Sequence, residues 1–231
     1  AHSQKKDDVF MENFNSTFRM ILYLIMPSMI FALVFRAHIV RIILGAGLFD
    51  ISNTVWTSRT LGYLSFGLVA QALIPFLTRS FYASGDTKTP VKIVYIAVIT
   101  NIVCSILFTK ILHYQVVGLA LAQSIAAFVN LFFLLGMLKE KLHKVNFNTL
   151  FVSSISFLAI AVVSGVFAYM TLYMIDPYLN TFVTIGLIMQ TFIAGMVGVF
   201  VYLLLSAIFK VPEGQRLIDS FSAIFRRVLG N

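Results

Sequence analysis

Three groups of polar side chains interrupt an otherwise apolar chain, and each could do chemistry. The first is Arg79-Ser-Phe-Tyr-Ala-Ser-Gly-Asp-Thr-Lys-Thr-Pro90, where Gly85-Asp86 offers a turn and Pro90 suits the mouth of a following helix. The second is Thr100, Asn101 and Ser105, with Gln123 and Ser124 further on and Asn130 beyond them. Asn101 and Ser105 are four apart, so a helix would put them on one face. Their oxygens could coordinate a cation or contact a sugar, or simply bond between helices for about 0.6–2 kcal/mol. The third is Arg59, one turn into an apolar stretch, where it could line an anion-binding cavity or snorkel to the interface.

Other chemistry is missing. Asp50, Asp86, Glu140, Asp176 and Glu213 all fall in predicted loops or at span ends, so no carboxylate sits at mid-membrane to couple a cation. The four His (His2, His38, His113, His143) are scattered over predicted loops without metal-ligand spacing. No phosphate cradle and no Ser-His-Asp arrangement is present, and an enzyme is not expected.

The elements that must position these groups follow from composition. Of 231 residues, 59% are hydrophobic and 11% are charged. A soluble globule of this size could not hide so much apolar surface. Disorder is excluded by the same numbers, and a disulfide scaffold by the single cysteine, Cys104. An all-α polytopic membrane protein remains. Six stretches reach the ~20 apolar residues a spanning helix needs. They run from about Phe18 to Phe35, Val55 to Leu77, Lys92 to Lys110, Val116 to Leu138, Leu150 to Ile175 and Thr181 to Phe209.

Six spans put both ends on one side. That side holds Lys5, Lys6, Arg19, Arg79, Lys88, Lys92, Lys139, Lys141, Lys144, Lys210, Arg216, Arg226 and Arg227, 13 basic residues against four (Arg36, Arg41, Arg59 and Lys110) on the other. The positive-inside rule therefore predicts cytoplasmic termini. The net charge of +8 is spread by this topology, with no patch suited to nucleic acid. The chain opens Ala-His-Ser-Gln without Met, and residues 1–17 read as a cytoplasmic connector within a longer protein, the alternative being a tag remnant or a processed terminus. Past Pro212, Leu217, Phe221, Ile224 and Val228 recur at helical spacing among arginines, which suits an amphipathic helix lying on anionic lipid or docking on a partner.

The Arg79–Pro90 stretch resembles the "FYA…DTKTP" signature of the MurJ (MviN) family of lipid II flippases, within the multidrug/oligosaccharidyl-lipid/polysaccharide exporter superfamily. Pro27, followed by Ile42-Ile-Leu-Gly-Ala-Gly-Leu-Phe49, is similar to that family's proline-bearing helix and "LLFGRGAF" segment. Gly118-Leu-Ala-Leu-Ala122 resembles the start of its twelfth helix. The resemblance implies that the six spans match the ninth to fourteenth helices of a fourteen-helix exporter, with the first eight as missing partners. Residues 18–138 would then be four helices of the C-terminal lobe, 139–149 a basic cytoplasmic loop, 150–209 two additional helices, and 210–231 a cytoplasmic tail.

The implied activity is alternating-access flipping of lipid II, an undecaprenyl-diphosphate-linked disaccharide-pentapeptide, across the bacterial inner membrane. Substrate contacts are expected at Arg59, Gln71 and Arg79, and a cytoplasmic loop role at Asp86, Thr87, Lys88 and Pro90. A lipid-tail groove is expected along Ser164, Gly165, Gly195 and Gly198, with membrane lipids as further partners. Some family members carry a sodium site. Asn101 matches its asparagine, while Ser105 stands where an acid would be and Gln123 where a threonine would be. Na+ is thus the one cofactor the resemblance suggests, and membrane potential is an equal candidate driver. Competing readings are a related polysaccharide-lipid or drug exporter, a polyprenyl-lipid transferase drawing on Asp50 or His113, and a membrane scaffold.

Overall fold

A computed structural model describes residues 2–44, 51–141, 147–179 and 183–217. Helices α1 (His2–Val34) and α2 (Arg36–Leu44) are separated by a bend at Phe35. The bend keeps the helical bonds Phe35 N–H to Phe31 O and Ile39 N–H to Phe35 O, both 2.8 Å. Then come α3 (Ile51–Ala83), α4 (Lys88–Ile106), a π-helical turn (Leu107–Ile111) and α5 (Gln115–Lys141). The hairpin of α6 (Phe147–Ile175) and α7 (Thr184–Ile208) follows, with a 3-10 turn at Asp176–Tyr178 between them. Residues 212–217 are again helical.

Six of these segments are long and apolar enough to cross a membrane: Met11–Val34, Asn53–Ala83, Lys88–Ile111, Gln115–Glu140, Thr149–Tyr178 and Thr184–Ile208. They coincide with the six expected spans. The first begins earlier than its hydropathy suggested, because Phe14 and Phe18 are buried against Phe76 of α3, with the Phe14 and Phe76 rings 5.1 Å apart. Pro27 and Pro75 lie inside α1 and α3 without ending them.

Laid side by side, the spans follow the order α4, α5, α3, α1, α6, α7. α5 therefore inserts between α3 and α4, although a short turn joins those two. Its small side chains make that possible: Ala120, Ala122, Ala126 and Ala127 are all buried. Gly67 of α3 supplies the matching face, since a Cβ there would lie 2.9 Å from Ser124 Oγ and 3.3 Å from the Ser124 backbone. The Ser124 hydroxyl uses that closeness to donate to Tyr63 O at 2.7 Å. The main core runs along α1, α3, α5 and α6 through Leu22, Tyr23, Leu77, Phe81, Leu134, Leu138 and Phe157.

The rim is apolar in the other direction. Tyr95, Ile99, Ile102 and Val103 of α4 point away from the bundle, as do Phe192, Met196 and Phe200 of α7. Such a coat is stable in lipid and would drive association in water.

Candidate functional site

Polar groups occur at three levels of α3, and Arg59, Gln71 and Arg79 mark them. All three are exposed at the helix surface. At 1.5 Å per residue, Arg59 and Arg79 lie about 30 Å apart, one near each end of the bundle, with Gln71 between. None of the cavities described below holds all three.

At the Arg79 end, the α3–α4 connection closes by helix capping. Asp86 N–H reaches back to Phe81 O and Gly85 N–H to Tyr82 O, both 3.0 Å, which satisfies carbonyls of the last turn. Gly85 takes φ = +76°, a conformation that a side chain would strain. The Asp86 carboxylate then accepts from Lys88 N–H at 3.1 Å and Thr89 N–H at 3.0 Å, and from the Thr89 hydroxyl at 2.7 Å. These are orphan donors of the first turn of α4. Thr87 is the backbone cap residue and its side chain makes no capping bond. Pro90 sits fully buried in the first turn, where its missing N–H costs nothing. In the expected cytoplasmic signature, Asp86 and Pro90 thus have defined structural work.

At the middle level, Asn101 and Gln123 meet across α4 and α5. Asn101 Nδ2 donates to Gln123 Oε1 at 2.7 Å, and the Ser105 hydroxyl reaches Asn101 Oδ1 at 3.4 Å. Asn101 and Gln123, with Gln71 and Asn130, border a trough of about 340 Å³ between α3, α4 and α5. Asn130 Oδ1 is buried there without a partner. All these groups are neutral, and no cluster of three metal-ligating His, Cys, Asp or Glu exists among the described residues. A cation buried against this trio would have no counter-charge, and two of the three oxygens already accept a hydrogen bond. The donor set does not fit a dedicated sodium cage.

At the Arg59 end, a cavity of about 550 Å³ is lined by Arg36, Arg59, Trp56, Tyr63, Tyr114 and their neighbours. The Arg59 guanidinium lies 5.4 Å from the centre of the Trp56 ring.

Two further troughs open at the surface of the bundle. One, of about 870 Å³, runs between α1, α2 and α7 past Phe31, Phe35, Ile39, Phe192, Gly195 and Phe200. The other, of about 620 Å³, lies between α6 and α7, with Arg19 and Lys210 at its mouth. Of the four residues expected to form a tail groove, Gly195 borders the first trough. Gly165 and Gly198 lie in helix contacts: a Cβ at 165 would overlap Ile30, and one at 198 would press on Phe31 and Ala168. Ser164 is fully buried and bonds Ala161 O at 2.8 Å.

Comparison with known proteins decides what this scaffold is. The family model "Lipid II flippase MurJ" matches residues 1–193. The chain belongs to the MurJ family. Relatives include the lipid II flippase MurJ of Thermosipho africanus, 28% identical over 200 residues, covering 87% of this chain and 38% of the relative. The probable lipid II flippase MurJ of Vibrio cholerae is 33% identical over 130 residues, covering 56% of this chain and 24% of the relative. A solved structure described as lipid II flippase MurJ in an inward closed conformation superposes with a TM-score of 0.67 at 26% identity, over 87% of this chain and 39% of that one. The chain thus spans between about a quarter and two fifths of these MurJ family members.

Several residues escaped sequence reasoning. Arg19 carries only a topological signal in the sequence, yet it pairs with Glu213 beyond the last span: Arg19 Nε is 2.7 Å from Glu213 Oε1. A separation of 194 residues leaves no local signal for that contact. His38 lies in α2 and not in a loop, half-buried with Nδ1 lacking a hydrogen-bond partner. Burial holds its pKa below the usual range, helped by the Arg41 charge and opposed by Gln190 and Asp176. Arg36 could have been flagged, because it is the first basic residue after an apolar span.

Proposed function

We propose that this chain is the trailing portion of a lipid II flippase, which carries an undecaprenyl-diphosphate-linked disaccharide-pentapeptide from the cytoplasmic to the periplasmic leaflet. The observation that carries this is the MurJ family match over residues 1–193, joined to a six-span bundle of MurJ shape. In this reading the protein is a transporter and no bond is made or broken.

The geometry supports a division of labour. The largely apolar wall around Gly195, Phe192 and Phe200 suits a prenyl chain that stays in lipid. Arg59, Gln71 and Arg79 mark polar steps along α3 that a hydrated headgroup could follow. The family's remaining helices would supply the opposite wall. The neutral Asn101–Gln123–Ser105 trio favours membrane potential over sodium as the driver, because no fixed charge at that site holds an ion. The basic-residue distribution favours the bacterial cytoplasmic membrane with both described ends inside.

Depletion in a strain without a redundant flippase is the test. Lipid II should accumulate on the cytoplasmic face, read by its protection from an externally added probe. Unchanged translocation would remove the proposal. If an exported polysaccharide-lipid stalls and lipid II does not, the related-exporter reading takes its place.

A further inference from the structure

We propose that Arg36 and Arg59 form a binding site for the phosphate or diphosphate group of an anionic amphiphile, at the end of the bundle opposite the α3–α4 turn. The cavity of about 550 Å³ there holds both guanidinium groups. Among the described residues no carboxylate lines it, and neither arginine has an ion pair or a hydrogen bond. Two like charges gathered without a counter-charge are unfavourable until an anion arrives. Guanidinium forks match phosphate oxygens in geometry as well as charge.

The pocket is built to hold those forks. Arg36 opens α2 just after the Phe35 bend and lies across α3 where Gly62 leaves room. A Cβ at 62 would sit 2.9 Å from Arg36 Nη1 and 3.2 Å from its Cδ. Arg59 lies about one helical turn before Gly62, with its guanidinium over the Trp56 ring. The third wall, Tyr114, is placed at a cost. It follows the π-helical turn Leu107–Ile111 and is flanked by His113 and Gln115, both non-glycine residues with positive φ, 54° and 50°. Such backbone is uncommon and persists where surrounding structure enforces it.

Polarity is graded along the pocket. Trp56, Tyr63 and Tyr114 are half-exposed at the rim, the ring types enriched at a membrane–water interface. Phe66 and Val117 line the apolar side. A ligand with an acidic head and a hydrocarbon tail satisfies both. The inference rests on the flippase reading in one respect: the cargo's diphosphate is one source of this chemistry, and an anionic phospholipid headgroup is the other.

The test uses the purified protein in nanodiscs of zwitterionic lipid, with binding read by native mass spectrometry. The probes are a polyprenyl diphosphate, phosphatidylglycerol and inorganic pyrophosphate. Arg36→Gln/Arg59→Gln should weaken binding of at least one lipid probe tenfold or more, and the double Lys variant, which keeps charge but loses the forks, should weaken it less. Gly62→Leu, which fills the Arg36 seat and leaves both charges, should also lower binding. Preference for the polyprenyl diphosphate assigns the pocket to cargo, and preference for phosphatidylglycerol assigns it to a bilayer lipid; either supports the site. Wild-type binding of all three probes by a folded double Gln variant overturns it, as does no binding by the wild type. Binding is read without transport, so arginine-dependent binding alongside unchanged lipid II translocation in the depleted strain would sink the flippase reading and leave the pocket standing.

Discussion

Arg19 of α1 and Glu213, just past α7, form an ion pair that ties the first span to the segment following the last. Nε lies 2.7 Å from Oε1, and Nη2 donates to Oε2 at 3.2 Å. The Glu213 side chain is 4% exposed and that of Arg19 24%. The pair also fixes a topological point, because the start of the first span and the end of the sixth meet at one end of the bundle. Beside it, the Tyr202 hydroxyl donates to Tyr23 O at 2.7 Å, joining α7 to α1 inside the core.

Breaking that pair from one side leaves a buried charge alone. Arg19→Met should destabilise the protein by roughly 3 kcal/mol, because it strands the buried Glu213, and Glu213→Ala by a similar or smaller amount, since the Arg19 it leaves retains some solvent. The double variant Arg19→Met/Glu213→Leu should recover most of the loss. Thermal unfolding in detergent measures all three. Additive losses in the double variant would show that the pair is not coupled.

Asp86 should act as a cap and not as a substrate ligand. Asp86→Ala removes three accepted hydrogen bonds at the start of α4 and should cost about 0.5–2 kcal/mol. Asp86→Asn or Asp86→Ser should restore most of that stability. Translocation by the Asn variant should then match wild type once stability is matched. A transport defect in a fully stable Asn variant would point to a direct role for the carboxylate.

Exchange of sodium for potassium should leave the transport rate within about twofold, because the Asn101, Ser105 and Gln123 groups are neutral and bonded to one another. Collapse of the membrane potential with an ionophore should stop transport. A sodium-dependent rate that Asn101→Ala abolishes would contradict this.

His38 should make stability depend on pH. Its folded pKa lies below the ordinary 6.5, because burial and the Arg41 charge disfavour the imidazolium more than Asp176 and Gln190 favour it. As pH falls, the unfolded chain therefore takes up the proton first, and stability drops from about 6.5 downward. Above that window the effect vanishes. His38→Gln should flatten the melting-point profile between pH 7 and pH 5, and an unchanged slope would assign the dependence to other groups.

The spans were legible because lipid imposes a simple rule on composition, and hydropathy alone marks where ~20 apolar residues can cross. The Asn101–Gln123 contact was legible for a related reason. Few polar groups occur in such helices, so those at similar depth on neighbouring spans tend to meet. The Asp86 turn was readable from residue type, since glycine followed by an acid and a buried proline fits only a few local conformations. Gly165 and Gly198 were not readable. A small residue in a span serves close packing and groove lining equally well, and only the position of Ile30, Phe31 and Ala168 decides between them. The expected amphipathic stripe beyond Leu217 falls outside the described residues.

Local sequence determined what the segments are: six apolar spans, the Gly85-Asp86 turn before α4 and the family. Each of these depends on side chains within a few residues of one another or on bulk hydropathy. Tertiary structure alone decided which helices touch. It put α5 between α3 and α4, laid Glu213 on Arg19, and brought Arg36 into one cavity with Arg59. Contacts between residues far apart in the chain depend on which of several near-equal apolar faces pack together. In a chain this uniformly hydrophobic, hydropathy does not distinguish those faces, and shape at positions such as Gly62 and Gly67 does.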